Sequence, residues 1–246
     1  MRRLWPDPIE IDDVPAFVAD DARPKPAGRP WLLVNMIASL DGAITLDGRS
    51  GGLGRPADKA MFSALRGVGD VVMAGAGTVR TEGYGPARPS AAIRAARLAR
   101  GQAEVPRLAV VTRSLALDPT TALFTEAVER PLVITCAAAP ADRHRALAAV
   151  ADLVVAGESA VDLPAAMAAL ADLGVGTVCC EGGPQLNGDL LAADLIDEWA
   201  LTLSPLLVGG GPDRAITGAP TEARELHLDW LCEGDGLLLT RWLRDR

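Results

Sequence analysis

Short apolar runs recur along the chain with amphipathic segments between them, and this alternation predicts its elements. Residues 31–38 (WLLVNMIA), 70–75 (DVVMAG), 107–112 (RLAVVT), 131–135 (PLVIT), 152–156 (DLVVA) and 176–183 (GTVCCEGG) read as strands. Residues 57–67 read as a helix, because Ala57, Ala60, Met61, Ala64 and Leu65 recur at intervals of three and four. Further helices are expected over 91–101, with its arginines on a solvated face, over 142–150, over 163–174, where Gly174 stops it, and over 184–195. The chain closes with strands at 196–209 and 236–244 and no helix between them. Continuous apolar strands separated by helices predict an α/β fold, its mostly parallel sheet covered on both faces, with an antiparallel pair at one edge. Residues 1–30, rich in Pro, Asp and Arg, read as an extended arm with Leu4, Trp5 and Phe17 as anchors, and 31–246 as one domain.

Composition narrows the chemistry. Hydrophobic residues make up 49% of the 246 positions but aromatics only 4%, so the core must be built from Ala, Val and Leu. A formal net charge of -8 repels phosphate backbones and anionic lipid, which argues against nucleic acid and membrane as partners. A phosphorylated ligand must then be held by local arginines and backbone N–H groups. No apolar run approaches the ~20 residues that cross a bilayer. The N-terminal stretch has no apolar core of a signal peptide, so a cytoplasmic protein is expected. Cys136, Cys179, Cys180 and Cys232 form no C-x-x-C pair and read as packing groups in a reducing compartment. His144 and His227 fall in unrelated segments, so neither a zinc site nor a Ser-His-Asp triad is expected. Carboxylates, hydroxyls, arginines or a bound cofactor are left to carry any reaction.

Four strand ends present such groups. The first strand breaks into Ser39-Leu40-Asp41-Gly42, where Asp41 can serve as a hydrogen-bond acceptor or an acid and Ser39 can support it; an ordinary Asp-Gly turn is the alternative. Gly75, Ala76, Gly77 and Thr78 follow a strand, and a helix starting at Thr78 would aim its N–H groups at a phosphate. Arg80 stands where a full dinucleotide fingerprint needs its third glycine, which disfavours a Rossmann dehydrogenase. Glu181 ends an apolar strand and needs a partner, while Gly182, Gly183 and Pro184 make a second anion cradle before a helix; local backbone capping by Glu181 is the alternative. Thr112, Arg113 and Ser114 offer a guanidinium flanked by hydroxyls, which suits the 2′-phosphate of NADP; an ordinary exposed arginine is the alternative.

Taken in order, NMIASLDG, DGRSG, LRGVGDVVMAGAGTV, EGGPQLNGDLL and DEWALTLSPLLVGGG resemble the pyrimidine reductase family, the reductase domain of riboflavin biosynthesis, over residues 31–243. The resemblance implies a dihydrofolate reductase-like fold and hydride transfer from NADPH to the ribosylamino group of a phosphorylated pyrimidine such as 5-amino-6-(5-phosphoribosylamino)uracil. It implies that residues 75–78, 112–114 and 182–184 hold the cofactor. Asn35, Ser39, Asp41, Ser50 and Arg66 match the substrate side, Arg66 as the helix arginine that reaches the ribose phosphate, and Glu181 matches an acid near the reacting carbon. Asp58 begins the first helix of the resemblance, where dihydrofolate reductases carry the acid below the pterin, and would hydrogen-bond an aminopyrimidine or pterin edge.

The family commonly has lysine after SLDG, where this chain has Ala43, and Thr or Ser where it has Gly54. An aspartate of the family becomes Glu82, with the following arginine matched by Arg88 at altered spacing; both are assigned to the substrate. Asp41 or Glu181 is expected to orient the substrate or relay a proton. Dihydrofolate or another pterin as substrate, and a non-catalytic NADPH-binding paralogue, stay open as alternatives. A homodimer is expected through the apolar strands near the C-terminus, as in the family.

Overall fold

The computed structural model describes residues 1–211, 214–219 and 223–245; Arg246, the last residue of the expected domain, lies outside them. The chain begins with β1 (Arg2–Trp5), β2 (Ile9–Glu10), α1 (Val14–Ala19), β3 (Trp31–Ser39) and α2 (Pro56–Val68). It continues with β4 (Val71–Gly75), α3 (Ala76–Glu82), α4 (Ala91–Ala99), β5 (Arg107–Val111), α5 (Ala122–Thr125), β6 (Leu132–Thr135) and α6 (Ala141–Ala148). Then come β7 (Asp152–Val155), α7 (Leu163–Asp172), β8 (Thr177–Cys180), α8 (Pro184–Ala192), β9 (Glu198–Ser204), β10 (His227–Gly234) and β11 (Leu237–Leu243). This is the α/β class that the hydrophobic pattern predicts, and the elements fall into two compact units.

The first unit holds residues 1–22, 32–68 and the chain from Cys180 onward. Its strands run in the order β2-β1-β10-β11-β9-β3. β9 lies parallel to β3, while β9, β11, β10, β1 and β2 are antiparallel in turn, a wider antiparallel region than the expected pair. Helix α2 starts with Pro56 and Asp58 in its first turn and ends with Arg66 in its last, the polarity its macrodipole favours. Met61, Ala64, Leu65 and Val68 form its buried stripe.

Residues 1–22 are not the extended arm that their composition suggests. β1 pairs with β10, and Asp13 caps α1 by accepting from the Ala16 N–H at 3.0 Å. Phe17 packs against Trp230 with ring centroids 5.3 Å apart, whereas Leu4 and Trp5 stay exposed. The anchoring apolar groups are Val14 and Val18, both buried. Arg241, buried on β11, ties the segment down by donating to the Ala22 carbonyl while pairing with Glu198 and Asp229. Buried apolar groups and complementary charge together order this end.

The second unit holds residues 23–31 and 69–179, with strand order β8-β4-β5-β6-β7. β4–β5, β5–β6 and β6–β7 are parallel pairs. Helix α7 is capped by Asp162 and closed by Gly174 at φ +84°, a left-handed position that glycine adopts without a Cβ penalty. One expectation fails here: the arginines of α4 do not all face water. Arg97 is fully buried and donates to the carbonyls of Gly69 and Ala103. Close by, Asp70 accepts from the N–H groups of Gly176 and Thr177 and from Gln102. These buried polar staples satisfy backbone groups that the short strands leave unpaired.

Candidate active site

Side chains alternate along β3, so Asn35, Ile37 and Ser39 share one face. Its parallel register sets them beside Ala200, Thr202 and Ser204 of β9. Ser204 donates to the Leu53 carbonyl at 2.8 Å, and the Thr202 hydroxyl hydrogen-bonds the Asp58 carboxylate. The face bearing Asn35 and Ser39 is therefore the face on which the first turn of α2 sits. Ser50 opens a 3₁₀ turn (Ser50–Gly52) that leads into Leu53 and Gly54.

Two carboxylates of this unit are driven in opposite directions. Asp41 accepts from the Ser39 hydroxyl and from the backbone N–H groups of Val208 and Gly209, the last at 2.7 Å. Those donors, Ser39 foremost, lower its pKa from the ordinary 3.8 to about 2. Ser39 in turn accepts from the Ala43 N–H at 2.9 Å, and Ala43 is buried. The SLDG segment is thus a stapled turn that fixes the start of the β9–β10 connection. Its carboxylate stays ionised at neutral pH and is a poor proton donor. Asp58, by contrast, has its pKa raised by burial, against the opposing pull of Thr202 and Lys59. An acid held up in this way is suited to exchange protons or to meet N–H donors of a ligand.

Asp58, Phe62 and Arg66 stand four residues apart and form one half-buried stripe along α2. The Arg66 guanidinium lies over the Phe62 ring, 4.2 Å from its centroid. It also meets Glu181 in a two-pronged pair, Nε to Oε1 at 2.6 Å and Nη2 to Oε2 at 2.7 Å. Glu181 is almost wholly buried, 3% of its side chain exposed, against 27% for Arg66. Arg66 is thus a partner of the buried Glu181 carboxylate. Both its oxygens are engaged, which makes it an orienting group for the guanidinium.

Gly182 follows at φ +79°, and a Cβ there would sit 3.3 Å from both the Asn187 amide and the Met36 sulfur. Gly183 is the N-cap of α8, with Pro184 in its first turn. Asn187 is a residue that pattern reading passes over. Fully buried on α8, it donates to the Ala215 carbonyl at 2.8 Å. The signal in the sequence was a polar side chain on the packed face of a helix. Cys180, buried beside it, has a thiol pushed up to about 12 by desolvation and is inert.

In the second unit, helix α3 starts at Ala76 with Gly75 as its N-cap, two residues earlier than expected. Gly77 is exposed and a Cβ there would meet open space, whereas Ala76 is buried. The Gly75–Val111 register places the loops after β4 and β5 side by side. Arg113 and Ser114 are exposed there. Thr112 is instead buried, and its hydroxyl accepts from the Leu115 N–H, a structural duty. Arg88 pairs with Glu126 at 2.6 Å on an exposed face, and Glu82 ends α3. Both belong to the second unit, while Asn35, Ser39, Ser50, Asp58, Arg66 and Glu181 belong to the first.

Known proteins are similar to this chain in sequence and fold. The model of the RibD C-terminal domain matches residues 30–234. The chain is 33% identical over 214 residues to the 2,5-diamino-6-ribosylamino-4(3H)-pyrimidinone 5′-phosphate reductase of Archaeoglobus fulgidus, covering 86% of this chain and 97% of that protein. It is 30% identical over 189 residues to the reductase of the same name from Methanothermobacter thermautotrophicus, covering 76% and 83%. A pyrimidine reductase-like protein of Corynebacterium diphtheriae superposes with a TM-score of 0.81 at 28% identity, over 88% of this chain and 92% of that one. RibD of Acinetobacter baumannii, at 18% identity and TM-score 0.73, shares the fold over 89% of this chain and 59% of its own. The chain belongs to the RibD C-terminal domain family of pyrimidine reductases.

Proposed function

We propose that this protein is an NADPH-dependent reductase of a ribosylaminopyrimidine 5′-phosphate, converting the ribosylamino group to ribitylamino. The observation that carries the reading is the stripe on α2. A carboxyl group and a guanidinium flank an aromatic ring, eight residues apart, which is about 12 Å along a helix. That spacing suits a substrate with a hydrogen-bonding heterocycle at one end and a phosphate at the other. The two relatives named as reductases of such a compound support it.

Each group then has a role. Asp58 meets the heterocycle, Arg66 meets the phosphate, and Glu181 aims Arg66 by holding two of its N–H donors. Asn35 and Ser50 are assigned to the sugar side, while Ser39, buried and bonded to Asp41 and the Ala43 N–H, keeps the SLDG turn closed with Asp41. A nicotinamide cofactor, when bound, supplies the hydride. The second unit has groups that fit it: open space at Gly77, in the first turn of α3, for phosphate, and exposed Arg113 and Ser114 for the ribose 2′-phosphate. Gly182, Gly183 and Pro184 offer a second helix N-terminus in the first unit. Glu82 and Arg88 are likewise assigned to the substrate. Catalysis rests on positioning, because a hydride donor and an open-chain iminium carbon react once aligned.

Replacing Arg66 with Met tests the assignment. It is expected to raise KM for the phosphorylated substrate at least tenfold, with a much smaller effect on the dephosphorylated compound. Equal effects on the two would remove Arg66 from the phosphate site. The same Asp58 carboxylate, held by Thr202 at the start of α2, would also meet the edge of a pterin, and reduction of dihydrofolate is the second reading. Dihydrofolate in a parallel assay decides between them.

A further inference from the structure

Helix α2 needs an acceptor at its start that its own first residues do not provide. Pro56 has no N–H, and Arg55 before it, whose carbonyl accepts from the Lys59 N–H at 3.0 Å, has a side chain of donors only. The Ala57 N–H, which a cap side chain would ordinarily satisfy, donates instead to Asp235 Oδ2 at 2.7 Å, 178 positions away. Asp235 lies in the two-residue turn between β10 and β11, where Gly234 pairs with Leu237. Its φ of +53° and that of Gly236, +76°, are the left-handed pair a tight hairpin requires. Arg55 completes the joint by donating to the Asp235 carbonyl, and Glu233 braces the turn by accepting from the Gly236 N–H at 2.9 Å. The close approach also shows in Gly234. A Cβ there would lie 2.8 Å from the Ala57 Cβ, an atom fixed to the helix backbone, although the φ of Gly234 makes no demand for glycine.

The next residue along α2 is Asp58, held by Thr202 of β9, which in turn lies opposite Leu239 of β11. The near end of α2 is thus fastened to one sheet at two consecutive residues, and the far end is fastened by the Arg66–Glu181 pair. Resting on the proposed reductase activity, we infer that Asp235 is a positioning residue for the substrate site: its carboxylate caps α2 from the β10–β11 turn and so holds Asp58 at a set distance from Arg66. Asp235 acts only through the helix. Without the cap the first turn of α2 frays and Asp58 moves off Thr202, while Arg66 stays with Glu181. The loss falls on the pyrimidine and spares NADPH, whose proposed contacts are carried by other elements.

Asp235→Gly and Asp235→Asn separate the cap from the turn. Glycine keeps the left-handed turn and removes the acceptor. Asparagine tolerates the same φ and keeps an amide oxygen for the Ala57 N–H while removing the charge. KM is measured for 2,5-diamino-6-ribosylamino-4(3H)-pyrimidinone 5′-phosphate and for NADPH, and the Asp58 carboxyl is titrated by NMR in the cofactor-free protein. Asp235→Gly is expected to raise KM for the pyrimidine about 3- to 30-fold, the factor that loss of a cap corresponds to, and to leave KM for NADPH little changed. Asp235→Asn should restore both values. In a protein already carrying Asp58→Ala, Asp235→Gly should have no further effect on KM for the pyrimidine, because the two act through one group. The Asp58 titration midpoint should fall to near the ordinary 3.8 in Asp235→Gly and stay above it in Asp235→Asn. An unchanged KM in Asp235→Gly, equal rises for both compounds, no rescue by asparagine, or the same rise in the Asp58→Ala protein would overturn the inference and leave the reductase reading standing. If wild type does not reduce the pyrimidine, the reductase reading falls, and the Asp58 titration then decides by itself whether Asp235 positions that carboxylate.

Discussion

Asp41 and Asp58 are both aspartates of the first unit, and their surroundings give them opposite tasks. Asp41 gathers three donors and is held near pKa 2, so its stabilising effect is present above the ordinary 3.8 and lost as the pH falls towards 2. Asp58 is shifted upward by burial, so its contribution is fully present below 3.8 and lost as the pH rises through its folded value. Opposite mutant phenotypes follow. Asp58→Asn should raise Tm at pH 7 and give no gain at pH 3, whereas Asp41→Asn should lower Tm at pH 7 and have little effect at pH 2. Thermal unfolding across that range checks both, and a destabilised Asp58→Asn protein at pH 7 would contradict the account of Asp58. SLDG marks a strand end in the sequence, yet nothing in those four residues tells that Val208 and Gly209 will satisfy the aspartate.

Helix α2 and the connection around α8 show how far elements were legible. The apolar stripe of α2 was plain from its spacing, and the same spacing puts Asp58, Phe62 and Arg66 in a row. That Arg66 would find Glu181, 115 positions away, was not plain, because pairing between distant polar groups has no local signature. Strand β10 escaped notice for a related reason: His227, Asp229 and Glu233 interrupt its apolar run, and the charged pair Asp229–Arg241 becomes sensible only once β11 lies alongside. Arg97 looked like a surface residue and is a buried staple. Helix α8 carries a testable case. A Cβ at Gly188 would lie 1.9 Å from the Thr217 carbonyl oxygen, a backbone atom that cannot move aside cheaply. Gly188→Ala should therefore cost about 1–3 kcal/mol of stability, the range for overpacking. It should also loosen residues 215–217, which Asn187 and Pro184 otherwise hold, and hydrogen exchange at the Thr217 amide reads that out. Unchanged stability would show that the close approach is not a constraint.

For the molecule as a whole, the hydrophobic pattern was sufficient for fold class, whereas the proposed site rests on family resemblance. The mixture of parallel strands with an antiparallel region follows from where helices intervene between strands and where they do not. The two compact units were not visible, since the first is assembled from three separated stretches of chain. One face of β9 and β11 bears Trp199, Leu201, Leu203, Leu238 and Trp242, none of them fully buried. We propose this face as a homodimer interface; light scattering should give twice the chain mass, and a monomer at micromolar concentration would remove it.

The central claim is reduction of a ribosylaminopyrimidine phosphate by NADPH, and one assay tests it most directly. Purified protein is mixed with NADPH and 2,5-diamino-6-ribosylamino-4(3H)-pyrimidinone 5′-phosphate, and loss of nicotinamide absorbance is followed together with formation of the ribitylamino product. The account predicts stoichiometric oxidation of NADPH and product, abolished or strongly reduced in Arg66→Met. Oxidation with dihydrofolate alone, or with neither compound, would contradict it.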